Sequence, residues 1–206
     1  MSGTLGSSDA RDFLCEVYNI EIIDIPTYQP KKFSELAPRI ADNQEEYLKA
    51  LGNAVQDQLS SNRAVLIIAE SIVQAKNIHE SLSSNFNISR LKLYTRTDND
   101  EAMNIAANVN VGDVIVATNI AGRGTDLKTS LQLEKNGGLH VIVSYLPMNL
   151  RVEQQAFGRT SRQGNDGTAE LVLNAEDLPN GFVPAIPNMT HTPVVKFFNT
   201  ANYPKT

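Results

Sequence analysis

Short, almost unbroken apolar runs recur along this chain: IEIIDI at Ile20 to Ile25, AVLIIA at Ala64 to Ala69, LKLY at Leu91 to Tyr94, DVIVA at Asp113 to Ala117, LHVIV at Leu139 to Val143 and AELVL at Ala169 to Leu173. A strand with one wet face alternates apolar and polar residues, whereas most of these runs are apolar on both sides, as expected of strands covered on two faces. That favours a parallel sheet. Between the first two runs Tyr47, Leu51, Val55 and Leu59 fall four apart with Leu48 beside them, laying an apolar stripe along one side of a helix. Between the second and third, Ile72, Ala75, Ile78 and Leu82 do the same after Ser71, a good N-cap residue. Alternating strands and helices predict an α/β fold built from βαβ units.

A chain of 206 residues holds one such domain with a solid core, or a domain plus an extension. The formal charge of −5 argues against a generic nucleic-acid coat, which needs an excess of Lys and Arg to neutralise phosphates, but leaves a local basic site open. The single Cys15 excludes an internal disulfide and any multi-cysteine metal site, which fits a reducing compartment. His79, His140 and His191 are scattered without ligand spacing, so no metal site is expected. No apolar run approaches the roughly 20 residues of a membrane span. MSGTLGSSDA has neither a basic start nor an apolar core, unlike a signal peptide, and reads as the opening of a piece cut from a longer chain. From Asn174 onward, Pro179, Pro184, Pro187, Pro193 and Pro204 interrupt helix and sheet alike, with only VVKFF, Val194 to Phe198, as a further candidate strand. Residues 174–206 are therefore expected to be an irregular extension or a linker.

Two stretches carry chemistry-bearing residues. ATNIAGRGTDLK, Ala117 to Lys128, follows an apolar run directly, so Thr118 onward is expected at the carboxyl end of a strand, where open α/β sheets bind ligands. Gly122 and Gly124 would let the backbone approach a ligand closely, with Arg123 and Asp126 beside it. The plainer alternative is a tight Gly-rich turn whose Arg and Asp pair with each other or with water. In VEQQAFGRTSRQG, Val152 to Gly164, Arg159 and Arg162 are three apart and would project to one side if Gly158 begins or interrupts a helix. Two guanidiniums aimed at one point suit a phosphate, because each presents a planar fork to its oxygens. Gln155 and Gln163 would surround the pair with neutral polar groups. A solvated basic face is the alternative, although Gly158 inside a helix would cost about 1 kcal/mol relative to alanine.

Together the two stretches resemble motifs V and VI in the second RecA-like half of superfamily 2 helicase-type motors. The likeness is greatest to SecA, the preprotein translocase ATPase, whose nucleotide-binding domain 2 carries A-T-N-x-A-G-R-G-T-D, then G-G-L-H-V-I, then Q-x-x-G-R-x-x-R-Q-G. Here these read Ala117 to Asp126, Gly137 to Ile142 and Gln155 to Gly164. Upstream, SGTLGSSDARDF resembles the segment closing the first motor half, VYNIEIIDIPTYQP the connecting strand, and VLIIAESI motif IV. The resemblance covers roughly Gly3 to Leu173 and implies residues 1–30 as the end of the first lobe with its connection, and residues 31–173 as a RecA-like lobe with helices on both faces of its sheet.

That family closes ATP between two lobes. The resemblance implies that Arg159 and Arg162 act as arginine fingers on the γ-phosphate, with Gln155 orienting phosphate or water. Asp126 would reach the ribose or a lobe-bridging group, with Gly122, Arg123 and Gly124 lining the cleft. Neither G-x-x-x-x-G-K-[ST] nor D-E-x-D occurs in this chain, so Mg²⁺ is expected to be held by the first lobe. SYLPMNLRVEQQ also differs from the family's T-E-R-H-E-S-R-R-I-D-x-Q run. The implied partners are the first RecA-like lobe and a polypeptide substrate, in the cytoplasm or peripheral to a membrane. Two other readings stand beside this one: the C-terminal lobe of an RNA or DNA helicase, using Lys31, Lys32, Arg90, Lys92 and Arg96, and a non-catalytic RecA-like interaction module.

Overall fold

The computed structural model of the chain describes residues 8–25, 29–95, 108–118, 127–162 and 164–178. Its centre is a wholly parallel sheet. Strand β3 (Ala64–Ala69) lies between β5 (Val114–Thr118) and β6 (Leu139–Val143), with β4 (Leu91–Tyr94) outside β5 and β7 (Asp166–Asn174) outside β6. Two short strands, β1 (Lys32–Glu35) and β2 (Arg39–Ala41), pair with successive parts of β7 and finish that edge. Every residue of β3, β5 and β6 is buried, as their uninterrupted apolar sequences require.

Helices cover both faces. On one side α2 (Gln44–Ser60) and α3 (Ile72–Asn85) deliver Tyr47, Leu51, Val55, Ala75, Ile78 and Leu82 against Val65, Ile67, Val114 and Val116. Ile72 begins α3 but stays exposed, so the α3 stripe starts one turn later than its spacing predicts. The helix starts are chemically specified: Asn43 caps α2 by accepting from the Glu46 amide, and Ser71 caps α3 by accepting from that of Gln74. On the other side, the five-residue α4 (Leu131–Lys135) contributes the fully buried Leu133, and α5 (Leu150–Phe157) contributes Ala156 and Phe157, against Leu66, Ile68, Ile115 and Val141. This is the expected α/β architecture, a RecA-like parallel sheet between two helical layers.

One expectation needs correction. Ile20 to Ile25 forms no strand: Ile20, Ile23 and Ile25 are exposed and no described strand pairs with them. An apolar run becomes a strand only where a neighbour accepts its backbone hydrogen bonds. Preceding it, α1 (Ser8–Tyr18) is a helix with no buried residue, its first turn joined to the segment that follows the helix through an Arg11–Asp24 ion pair. β1 and β2 escape sequence reading because KFSE and RIA are too short to show a period. Val194 to Phe198 lies outside the described residues, as does the rest of the C-terminal stretch beyond Leu178. No described helix is long and apolar enough to cross a membrane.

Candidate functional site

Helix α5 crosses back over the sheet and ends at Gly158, which accordingly sits at a helix C-cap and not in a helix interior. The cap closes with Gly158 N–H donating to the Gln154 carbonyl at 2.9 Å and Arg159 N–H to that of Ala156 at 3.1 Å. A Cβ on Gly158 would lie 2.8 Å from the Gln154 carbonyl oxygen, so close approach selects the glycine and the interior-helix penalty does not arise. Arg159 and Arg162 therefore do not share a helix face; the turn after the helix brings them together. Within it Arg162 Nε donates to the Gly158 carbonyl at 3.0 Å.

The turn is anchored on the amino ends of β6 and β7. Thr160 Oγ1 donates to the Leu139 carbonyl at 2.6 Å, and Ser161 Oγ to that of Asn165 at 3.0 Å. Ser161 adopts φ 54°, a left-handed conformation uncommon for a residue with a side chain. Below it, Gly138 has φ 75°, and a Cβ there would stand 1.9 Å from the Asp166 carbonyl oxygen. Arg63 holds this glycine pair from the other side, Nε donating to the Gly138 carbonyl at 3.0 Å and Nη2 to that of Gly137 at 2.7 Å. Its burial outweighs the attraction of Asp166 and lowers its pKa from the usual arginine value.

Arg159 and Arg162 line one cavity of about 30 Å³, together with Leu127, Thr129, Glu134, Thr160, Ser161, Asn165 and Asp166. The described chain leaves β5 at Thr118, on the carboxyl edge, and resumes at Leu127 on the wall of this cavity at the opposite, amino edge. Because α5 runs back across the sheet, the turn carrying the two arginines emerges beside the amino ends of β6 and β7, whereas the stretch expected at the carboxyl end of β5 lies beyond Thr118, outside the described residues. Gln155 is half-buried on α5, one turn before, and does not line the cavity. Gly122, Arg123, Gly124, Asp126 and Gln163 lie outside the described residues.

Other groups were not legible as functional from spacing. His140, fully buried on β6, spans Thr168 Oγ1 at 2.6 Å from Nδ1 and Glu170 Oε1 at 3.0 Å from Nε2. Burial dominates over the carboxylate and lowers its pKa, and the neutral ring fits one tautomer, Nε2–H donating to Glu170 while Nδ1 accepts from the Thr168 hydroxyl. Glu170 also binds Arg39 Nε at 2.9 Å, and Arg39 reaches Asp57 at 2.8 Å. On α5, burial pushes Glu153 up to about 7, with Glu35 of β1 adding like-charge repulsion. No group of three or more potential metal ligands occurs among the described residues. Of the basic residues that a nucleic-acid groove would need, Arg90 and Lys92 pair with the buried Asp113 at 2.8 and 3.4 Å.

The family model described as the SecA P-loop domain matches residues 34–136, half of the chain. This chain belongs to that family. The SecA match runs from β1 through α4 and ends before Arg159. Curated relatives include protein translocase subunit SecA 2 of Bordetella avium and protein translocase subunit SecA of Helicobacter hepaticus, each 32% identical over 177 residues, or 86% of this chain. The aligned region is only 26% and 20% of those proteins, so this SecA-family chain spans about a quarter or less of their length. Among solved structures, Mss116p bound to ssRNA and AMP-PNP superposes with TM-score 0.56 at 15% identity, covering 71% of this chain and 28% of that one. Domain 2 of the same DEAD-box helicase, bound to an RNA duplex, gives 0.50 at 15% identity over 70% of this chain and 55% of that one. At such identity the likeness concerns the fold, which is that of RecA-like helicase domains.

Proposed function

We propose that this chain is the second RecA-like lobe of a SecA-type ATPase motor, which completes an ATP site between two lobes and couples hydrolysis to translocation or remodelling of a polypeptide. The observation that carries this is the convergence of Arg159 and Arg162 on one cavity whose wall also holds Leu127, the residue directly after the ATNIAGRGTD stretch. Family membership supports the motor; the cavity supports the lobe.

Residues 31–173 form the lobe on this reading, residues 1–30 the end of the first lobe and its connection, and residues 174–206 an extension. Support for the first boundary comes from Phe13, Val17, Tyr18, Ile20, Ile23 and Ile25, all exposed among the described residues. Such a face fits packing on the missing lobe.

The donor set at the cavity suits a phosphoryl anion. Arg159 and Arg162 stabilise negative charge as the γ-phosphate departs, and Gln155 orients phosphate or water from the end of α5. Asp126 contacts the ribose or a bridging group, while Gly122, Arg123 and Gly124 line the cleft and respond to its closure. The first lobe would hold Mg²⁺, which would supply charge neutralisation at the phosphate oxygens. The engagement of Arg90 and Lys92 by Asp113 favours a polypeptide over a nucleic-acid strand as the moving partner.

In the full-length protein, Arg159→Ala is expected to lower kcat by about 10³-fold with little change in KM for ATP. Asp126→Ala is expected to raise KM or uncouple the lobes. Wild-type steady-state ATPase in both variants would remove the motor reading. The isolated chain, lacking the phosphate loop, is expected to show no turnover.

A further inference from the structure

The stretch after ATNIAGRGTD and the arginine-bearing turn meet at a single oxygen atom. Glu134 Oε1 accepts from Thr129 Oγ1 at 2.9 Å and from Asn165 Nδ2 at 2.8 Å. We infer that Glu134 is a positioning residue that couples these two segments, holding the arginine turn in register with the chain that leaves the nucleotide cleft. The inference rests on the motor-lobe reading.

Each end of this bracket is firmly attached to its own segment. Asn165 N–H donates to the Arg162 carbonyl at 3.0 Å, and its own carbonyl accepts from Ser161 Oγ at 3.0 Å, so moving Asn165 moves the backbone that carries Arg162. Thr129 makes the isolated parallel bridge to Val109, flanked by Val109 N–H to the Lys128 carbonyl at 2.7 Å and Ser130 N–H to the Val109 carbonyl at 3.0 Å.

The bracket itself is held fast. Ser130 caps α4, Leu133 is fully buried, and Asn136 Nδ2 donates to the Asn62 carbonyl at 2.7 Å. Immediately beyond, Arg63 clamps Gly137 and Gly138. A helix of five residues is too short to be stable alone, so these attachments fix where Glu134 points. An ionised carboxylate is an acceptor only, and one of its oxygens can serve two donors. A glutamine carbonyl oxygen can do the same; an alanine cannot.

The test uses the full-length protein, with Arg159→Ala as the control for the motor reading. Glu134→Ala is expected to lower kcat by about tenfold or more while KM for ATP stays within about threefold, and Glu134→Gln to restore kcat to within about threefold of wild type. Thr129→Val and Asn165→Ala are expected to be non-additive in the wild-type background and additive once Glu134 is alanine. If Arg159→Ala and Asp126→Ala are both silent, the motor reading fails. If Arg159→Ala is inactive, three results overturn the Glu134 inference alone: wild-type kcat in Glu134→Ala, equal loss in Glu134→Gln, or additive Thr129 and Asn165 effects in the wild-type background. The last decides the matter even if Glu134→Ala does not fold.

Discussion

Thr160 donates from Oγ1 to the carbonyl oxygen of Leu139 at 2.6 Å, which bonds the residue next to Arg159 directly to the first residue of β6. The hydroxyl is buried, so water cannot replace it. Thr160→Val keeps the shape and removes the donor, and is expected to cost about 1–3 kcal/mol in denaturant unfolding. In the full-length protein the same change should reduce kcat, because Arg159 loses its fixed neighbour; an unchanged stability would show that this bond contributes nothing.

Ser161 lies at φ 54° and spends its hydroxyl on the Asn165 carbonyl. Glycine relieves the left-handed strain but forfeits that bond and adds chain entropy, so Ser161→Gly should stay within about 1 kcal/mol of wild type. Ser161→Val, β-branched and unable to bond, should cost about 2 kcal/mol or more. Equal unfolding midpoints for the two variants would refute the assigned backbone conformation.

Gly137 and Gly138 both have positive φ, but their surroundings differ. A Cβ on Gly137 meets nothing nearer than Arg63 Nε at 3.6 Å, whereas on Gly138 it would stand 1.9 Å from backbone oxygen of Asp166. Gly137→Ala should therefore cost only the left-handed strain, about 1–2 kcal/mol. Gly138→Ala adds a collision between β6 and β7 and should cost several kcal/mol or abolish soluble expression, by an amount on the order of a severe core change. The order of the two thermal midpoints is the measurement.

Burial, with Glu35 nearby, raises Glu153 to about 7 in the folded chain. The folded state then holds this proton more tightly than the unfolded state does. Its contribution is fully present below the ordinary glutamate pKa and is lost as pH rises toward 7, a total of at most about 3 kcal/mol. Glu153→Gln, permanently neutral, should flatten the pH dependence of stability between about pH 5 and 7 and gain most over wild type near pH 8. Parallel stability curves for the two proteins would show that Glu153 does not titrate there.

Much of the core was readable in advance because burial on both faces leaves a direct trace. AVLIIA and LHVIV can only be strands with cover above and below, and Tyr47, Leu51 and Val55 mark the helix that supplies it. Ile20 to Ile25 carries the same trace without the same outcome, since an apolar run does not specify a partner strand. β1 and β2 exist because β7 offers an edge, not because KFSE or RIA prefers to be extended.

The candidate site divides along the same line. Glycine spacing and the arginine pair are local, and they marked Arg159, Arg162 and the SecA family from residues alone. Which edge of the sheet receives those arginines depended on α5 running back across it, and the pairing of Glu134 with Thr129 and Asn165 on a five-residue helix without periodicity of its own. Likewise His140 looked solitary until β6 and β7 aligned it between Thr168 and Glu170. Periodicity is a property of neighbours in the chain, so the sequence determined strands β3 to β7 and helices α2 and α3. Hydrogen bonds between segments that are distant in the chain depend on register and crossing direction, which only the packed sheet decides.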